Sequence, residues 1–190
     1  MAYTTVASVK AYGGISGAGD DTLLDALVDR AQAIVDAYTK RTFEASADST
    51  RYFTVGLDTE GPFLWLDEDL ASITTVTNGD SNEVTSSQYT TKPKNRTPYY
   101  GIKILPSAGK VWTFTTDAED AISVAGKWAY SATAPADIVQ ATVRLTTFLY
   151  RQKDTSQDLD RPLMTDAGVM IMPSQIPNDV KAMLNPYRRL

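Results

Sequence analysis

The apolar residues of this chain change their repeat twice along the sequence, and this change most constrains the fold. Segments 20–41 and 135–153 carry apolar residues at helical spacing, whereas the residues from about 51 to 131 alternate with the period of a β strand. Because an apolar helical face must be covered, we expect the two helical segments to pack against each other. The pattern therefore predicts helices that pair across an inserted β region.

The first helical segment, 20–41, has three distinct faces. Its polar side is opposite an apolar arc, Asp20 or Asp21 can cap its start, and Lys40 and Arg41 suit the negative end of its dipole. The apolar arc consists of Leu24, Leu27, Val28, Ala31, Ile34, Val35 and Tyr38. The third face is a strip of small side chains, formed by Ala26, Ala33 and Ala37.

This alanine strip has two interpretations. Alanine is the best helix former, so the strip can simply reflect helix propensity. Small side chains also allow close approach, so a second helix or a neighbouring subunit could pack there. The pattern alone leaves both interpretations open.

The second helical segment, 135–153, is too apolar to be covered on one side only. Pro135 and Asp137 are typical of a helix start. Its apolar arc comprises Ile138, Ala141, Thr142, Leu145, Phe148 and Leu149, widened by Val139, Val143 and Tyr150. Its narrow polar stripe comprises Gln140, Arg144, Thr147 and Arg151. We expect the first long helix to cover one side, and the β region or another subunit to cover the other.

The β region predicts seven short strands joined by tight turns, as an antiparallel meander or a small sandwich. The strand segments are RYFTV, PFLWL, SITTVTN, SQYTTKP, YGIKILP, VWTF and AISVAGKWAYS. Residues 92–101 read as an exposed loop with a basic tip, whose alternative role is a contact with a partner or a nucleic acid. The acidic run 67–69 reads as a solvated turn.

The two ends of the chain predict shorter elements. A short helix covers 4–12, and the glycine-rich run 13–20 is a flexible connection, because a phosphate loop would need other residues around it. Residues 154–176 form a polar loop and then a Met-rich extended arm. A short helix follows from Pro177 to Pro186, and the residues after it form an exposed basic tail.

Composition excludes most chemistry. The 190 residues include no Cys and no His, which removes disulfides, thiolate nucleophiles, the usual triads and most zinc sites. A formal net charge of −5 argues against a DNA-gripping surface. No apolar run is long enough to span a membrane, and the N-terminus lacks a signal-peptide core. We therefore expect a protein that is made and used in a reducing cytosol, or is assembled there into something larger, without membrane contact.

Candidate sites for chemistry are equally few. Asp154, Asp158 and Asp160 are spaced loosely like a calcium loop but lack its glycine and closing glutamate. Trp65, Trp112 and Trp128 sit in β patterns and are expected to fill a core rather than to line a sugar groove. The sequence therefore predicts no catalytic residue, no metal site and no cofactor.

Four segments in succession resemble the head–tail connector proteins of tailed bacteriophages, also called adaptor or head-completion proteins. They are LLDALVDRAQAIVDAYTKRTF, PFLWLDEDLASITTVTNGD, AISVAGKWAYSATAPADIVQATVRLTTFLYRQKD and IPNDVKAMLNPYRRL. The resemblance implies an α+β fold in which a helical core holds an inserted antiparallel β meander or small sandwich. In this chain the core would be 1–45, 133–153 and 177–190, the insertion about 50–132, and the arm about 154–176.

The resemblance also implies a structural role in the virion, after assembly in the host cytoplasm. Subunits would form a ring, usually twelve-fold, between the portal protein and a stopper or tail-completion protein, and double-stranded DNA would pass through its lumen without specific binding. The C-terminal segment would reach the portal, and its deletion would leave the core folded. The candidate portal contacts are Met172, Pro173, Ile176, Pro177, Val180, Leu184, Tyr187, Arg188, Arg189 and Leu190.

A ring needs two different contact faces on each subunit, and the over-apolar second helix and the alanine strip could supply them. The candidate subunit-interface residues are Ala26, Ala33, Ala37, Val139, Val143 and Tyr150.

Three other functions remain open from the sequence. The chain could be another structural or assembly protein of a virion. It could be a ligand- or carbohydrate-binding β domain with helical flanks, which would require an exposed Trp112 or Trp128. It could also be a hydrolase without histidine that uses Asp67, Glu68 or Asp69.

Overall fold

The computed structural model describes residues 2–153, 163–164, 170–171 and 176–189. The chain forms two compact units. A helical unit combines residues 2–40 with residues from Pro135 onward, and a β unit comprises Arg41–Ala134. Among the described residues there are four α-helices and two larger antiparallel sheets, so the predicted α+β fold class is confirmed.

The helical unit contains α1 (Val6–Gly13), α2 (Asp21–Thr39), α3 (Ala136–Gln152) and α4 (Asn178–Leu184). A 3-10 turn, Asn185–Tyr187, follows α4. Helix α3 packs against α1, α2 and α4, which explains why its apolar arc is so wide. No helix in the described part of the chain is long and apolar enough to cross a membrane.

The core of the helical unit is built from the predicted arcs. Val9, Leu24 and Val28 form a buried cluster between α1 and α2, and Tyr150 of α3 packs against it. Leu145 and Ile138 of α3 are fully buried. The paired helical segments therefore cover each other as the repeat predicts.

The polar stripe predicted on α3 is wrong at Thr147, which is only 1% exposed. Its hydroxyl donates a hydrogen bond of 2.9 Å to the carbonyl of Val143, one turn earlier. Thr142 and Thr146 are buried in the same way, with bonds of 2.8 Å to Ile138 and to Thr142. Because each hydroxyl is satisfied by its own helix, threonine can occupy an apolar interface there.

The β unit consists of two sheets around one core. The first sheet has the order β1 (Ser49–Phe53), β7 (Ile122–Lys127) and β4 (Ser72–Thr77). The second has the order β2 (Thr59–Glu60), β3 (Phe63–Leu70), β6 (Tyr99–Ile104) and β5 (Tyr89–Lys92). Inward-facing residues of both sheets, including Phe53, Leu64 and Val124, form one buried cluster, as in a small sandwich.

One strand prediction and one turn prediction fail. The segment VWTF is not a strand: Phe114 makes a single bridge to Gly79, and the buried Trp112 donates from its indole Nε1 to the carbonyl of Pro62 at 3.0 Å. The acidic run 67–69 is not a turn but the second half of β3, next to a break in its register with β6 between Trp65 and Leu70. Charged residues fit there because Asp67 and Glu68 are exposed and the half-buried Asp69 is paired with Arg41.

Close backbone approach requires glycine at the centre of the first sheet. A Cβ placed on Gly126 of β7 would lie 2.1 Å from the carbonyl oxygen of Ser72. Since a real Cβ does not approach backbone that closely, any other residue would push β4 away from β7.

The predicted arm falls mostly outside the described residues. Two short strands, β8 (Leu163–Met164) and β9 (Met170–Ile171), pair antiparallel within it. Asp154, Asp158 and Asp160, considered above for calcium, lie outside the described residues, as do Met172 and Pro173.

Candidate assembly surfaces

The C-terminal segment is attached to the helical unit and does not form a free tail. Val180 and Leu184 of α4 are 0% exposed. The backbone N–H of Arg189 donates to the carbonyl of Thr39 at 2.9 Å, which satisfies an open acceptor at the end of α2. In the described part of the predicted exposed basic tail, Arg188 is exposed, whereas Tyr187 and Arg189 are half-buried.

Side-chain contacts hold the same segment. Tyr38 donates from its hydroxyl to Asn185 at 2.7 Å, and the Arg188 guanidinium lies 5.6 Å from the centre of the Tyr38 ring. Tyr187 donates to Asp137 at 3.2 Å, near the start of α3. These contacts fix the position of the segment on the helical unit.

An ion pair between α3 and α4 adds to this attachment. Arg144 Nε donates to Asp179 at 2.7 Å. That hydrogen bond lowers the pKa of the Asp179 carboxyl and raises the pKa of the Arg144 guanidinium. Both side chains are largely exposed, so we expect the pair to orient α4 more than to stabilise it.

The candidate portal contacts thus divide into three groups. Val180 and Leu184 are buried in the core of the helical unit. Met172, Pro173 and Leu190 lie outside the described residues. The remaining candidates have side chains at the surface, either half-buried or exposed, and are Ile176, Pro177, Tyr187, Arg188 and Arg189.

The candidate subunit-interface residues also divide. Ala26, Ala33 and Ala37 are all exposed, so the alanine strip is a real surface of α2. On α3, Val139 is half-buried but Val143 is only 5% exposed and belongs to the core. Tyr150 packs on the cluster between α1 and α2, and its hydroxyl donates to Asp20 at 2.6 Å. Only the alanines offer a free face.

Asp20 does not cap α2 through its side chain. Its carboxylate instead accepts hydrogen bonds from Lys153, at 2.7 Å, and from Tyr150. These two bonds, the one from Lys153 first, lower the pKa of Asp20. Asp20 therefore connects the start of α2 with the end of α3.

The glycine-rich run is held by one lysine. Lys10 Nζ donates to the carbonyl of Gly17 and, at 2.7 Å, to the carboxylate of Asp21. An anion such as phosphate would meet Asp21 and Asp20 at the start of α2, so the arrangement does not resemble a phosphate-binding loop.

The acidic residues of β3 are paired with arginines. Arg51 donates to Asp67 at 3.0 Å and to Glu68 at 2.6 Å, and Arg41 donates to Asp69. Burial opposes the charge of Arg51, but the hydrogen bonds to Glu68 and Asp67 outweigh it and raise the pKa of the guanidinium. Each of the three carboxylates is thus engaged by an arginine, which favours a structural role for this run over a hydrolytic one.

Among the described residues, no group of three acidic side chains is arranged to hold a metal ion.

The three tryptophans differ in exposure. Trp112 and Trp128 are 7% and 5% exposed, and Trp128 donates from its indole to the carbonyl of Ser49 at 3.0 Å. The prediction that tryptophans fill a core is wrong for Trp65, which is 47% exposed on β3. The sugar-binding function required an exposed Trp112 or Trp128, so their burial counts against it.

Trp65 belongs to a cluster that sequence reasoning missed. Its ring centre lies 4.2 Å from that of Phe63 and 6.1 Å from that of Tyr100, which stacks on it with an angle of 17° between the planes. Phe63 and Tyr100 lie on β3 and β6. The alternation of PFLWL places Phe63 and Trp65 on the same face of the strand. This alternation was the signal in the sequence that could have indicated the cluster.

A helical unit built from both ends of the chain and an inserted antiparallel sandwich are the two units of this fold. Within the part of the chain that the structure describes, neither unit brings together a catalytic constellation. The model of the head completion protein family matches residues 2–190, so the chain belongs to that family, a structural component of virions. The resemblance predicted from the sequence is confirmed.

Solved structures show the same fold. A chain in the neck of an empty gene transfer agent particle, computed with C6 symmetry, is 16% identical with a TM-score of 0.59, over 97% of this chain and 88% of that one. A chain in the virion of a native gene transfer agent particle is 16% identical with a TM-score of 0.56, over 93% of this chain and 81% of that one. No curated protein is significantly similar in sequence.

Proposed function

We propose that this protein is a structural component of a virion neck, without catalytic activity. In this role it forms a ring that joins the portal vertex to a stopper or tail-completion protein and extends the DNA channel. Membership of the head completion family over residues 2–190 is the observation that carries the proposal. Structural similarity to a chain in the neck of a gene transfer agent particle supports it.

The charge of the chain fits a channel wall that DNA passes. A net charge of −5 gives little attraction for phosphates, so DNA in transit would not be held by specific binding. Two basic residues of the helical unit are paired with acids, Lys10 of α1 with Asp21 and Arg144 of α3 with Asp179.

The portal contact is proposed at the surface of the C-terminal segment. Arg188 is exposed, and Ile176, Pro177, Tyr187 and Arg189 are half-buried next to it in sequence or in the fold. Such a segment, already positioned by α4, could dock with little ordering cost. Twelve subunits per ring is the stoichiometry that we propose.

The experiment is binding to the cognate portal protein, observed by electron microscopy of the mixed proteins. We expect rings on the portal with wild-type protein, and weakened attachment with R188S/R189S, which removes two positive charges. The matched control is S16E/A18E, which changes the net charge equally in the exposed glycine-rich run. A wild-type protein that never binds the portal would overturn the proposal, whereas equal binding by both variants would overturn only the contact site.

A further inference from the structure

The outer face of the four-stranded sheet is apolar at its centre and basic at its border. Phe63, Trp65 and Tyr100 form the stacked aromatic cluster, in which Trp65 is 47% and Tyr100 51% exposed. Single exposed aromatics are common on protein surfaces, but three in contact form a patch typical of an interaction site.

A glycine on the neighbouring strand makes room for the aromatic cluster. Gly101 pairs with Trp65 across β3 and β6. A Cβ at Gly101 would lie 2.3 Å from the Phe63 ring, so the ring lies directly over the glycine backbone. The bare backbone of β6 therefore gives Phe63 the space to contact its aromatic neighbours.

Four cations border the cluster. Lys103 pairs with Phe63, Lys92 pairs with Gly101, and Lys94 and Arg96 are exposed in the loop between β5 and β6. Within the described residues, none of the four forms an ion pair. Glu60, which pairs with Phe63 on the edge strand β2, is the acid at this border. We call these four cations and the three aromatic residues the aromatic face.

The same unit carries a second surface of opposite charge. Val111 and Phe114 are 68% and 46% exposed, in a segment that hydrogen-bonds to the buried Asn78. Phe114 bridges to Gly79, next to Asp80, and Lys110, next to Val111, donates to the carbonyl of Glu83. The name acidic surface is used below for Val111 and Phe114 together with the exposed acids near them in sequence or through these contacts, which are Asp80, Glu83, Asp117, Glu119 and Asp120.

Hydrogen bonds fix the loops of the acidic surface in place. Asn78 donates to the carbonyl of Val111 at 2.9 Å, and Asp120 N donates to Thr54 Oγ1 at 3.3 Å. Asp80 accepts hydrogen bonds from Asn82. These bonds are the main reason why the pKa of the Asp80 carboxyl is lowered, and they favour its ionised form. Lys110, which donates to the carbonyl of Glu83, is the cation at this surface.

We propose that the aromatic face of one copy docks on the acidic surface of the next copy. Each surface combines exposed apolar side chains with charged residues near them, and the charges of the two surfaces have opposite sign. Because they are different surfaces of one unit, the contact is head-to-tail, which generates rings or filaments rather than closed dimers. The inference rests on the proposed ring. It names a contact between subunits that does not depend on the alanine strip.

The first test is a charge exchange, read by sedimentation velocity of the full-length chain. K94E/R96E on the aromatic face and E83K/E119K on the acidic surface should each weaken self-association about tenfold or more, by placing like charges opposite each other. The chain that carries all four substitutions has the wild-type net charge and should associate again. S16E/A18E, outside both surfaces, should associate like the wild type.

The second test uses salt and the aromatic centre. Raising ionic strength from about 0.1 M to 1 M shortens the Debye length from about 10 Å to 3 Å, so wild-type association should weaken, and Y100S should weaken it at either ionic strength.

Three results would overturn the inference: association limited to dimers, no recovery in the fourfold variant, or a wild-type chain that stays monomeric while sugars quench its Trp65 fluorescence. If such a chain still binds the portal, the proposed function stands and only the subunit contact is wrong.

Discussion

Replacement of Leu184 by alanine should strongly destabilise the helical unit. Leu184 is 0% exposed on α4, in the segment that the sequence suggested as a separable basic end. Truncation of a buried leucine to alanine costs about 2–5 kcal/mol, because transfer energy is lost and a cavity remains. Since small domains are stable by only about 5–15 kcal/mol, L184A should remove a large part of the stability.

The assay is urea unfolding followed by far-UV circular dichroism, with wild type, L184A and R188S compared under the same conditions. R188S is the control, because Arg188 is exposed and its contact with the Tyr38 ring is worth about 0.5–1 kcal/mol at most. We expect a large drop in the unfolding midpoint for L184A and a small one for R188S.

Removal of residues 178–190 should be at least as damaging, because Val180 is also 0% exposed and the bond from Arg189 to Thr39 would be lost. A truncated chain or an L184A chain that unfolds like the wild type would refute the view that α4 completes the core. If the view holds, loss of portal binding on truncation cannot be assigned to a missing contact, and surface variants such as R188S/R189S are needed.

Three further outcomes are expected. G126A should lower the melting temperature by several degrees or prevent folding, because its Cβ would lie 2.1 Å from the Ser72 carbonyl, whereas G19A, with open space around it, should melt like the wild type. Acrylamide quenching should reach Trp65, which is 47% exposed, and W65F should remove most of the quenchable fluorescence. Burial raises the pKa of Asp36 above 3.8 despite the hydrogen bond from Tyr3, so its carboxyl favours the fold at low pH. That advantage is lost as pH rises through the folded pKa. The free energy of unfolding of the wild type, minus that of D36N, should therefore fall as pH rises. A difference that does not change with pH would contradict a raised pKa of Asp36 in the folded chain.

Periodicity in the sequence determined the element types and the principal pairing. The arc from Leu24 to Val35 on α2 and the arc of α3 around Leu145 could each be identified from spacing alone, and both are buried. A helical repeat with a free apolar face requires a cover, so the contact between α2 and α3 could be expected although the β unit separates them in sequence.

Three predictions failed because contacts formed only in the folded chain decided them. The run 67–69 continues a strand because Arg41 and Arg51 meet its carboxylates. Thr147 is buried because its own helix accepts its hydroxyl hydrogen. Val180 and Leu184, two candidate portal contacts, belong to the core because the wide apolar arc of α3 packs against α4.

Sequence by itself determined what the chain lacks and how its elements repeat, since residue counts and periodicity are local properties. It carries no Cys or His, and its order of segments identified the family. Only the tertiary structure decided which surfaces are free, because exposure depends on what packs against each face. The alanine strip and Trp65 remain open, whereas Val143 and Leu184 are covered. The difference in charge between the aromatic face and the acidic surface likewise arises only when separate strands and loops meet in space.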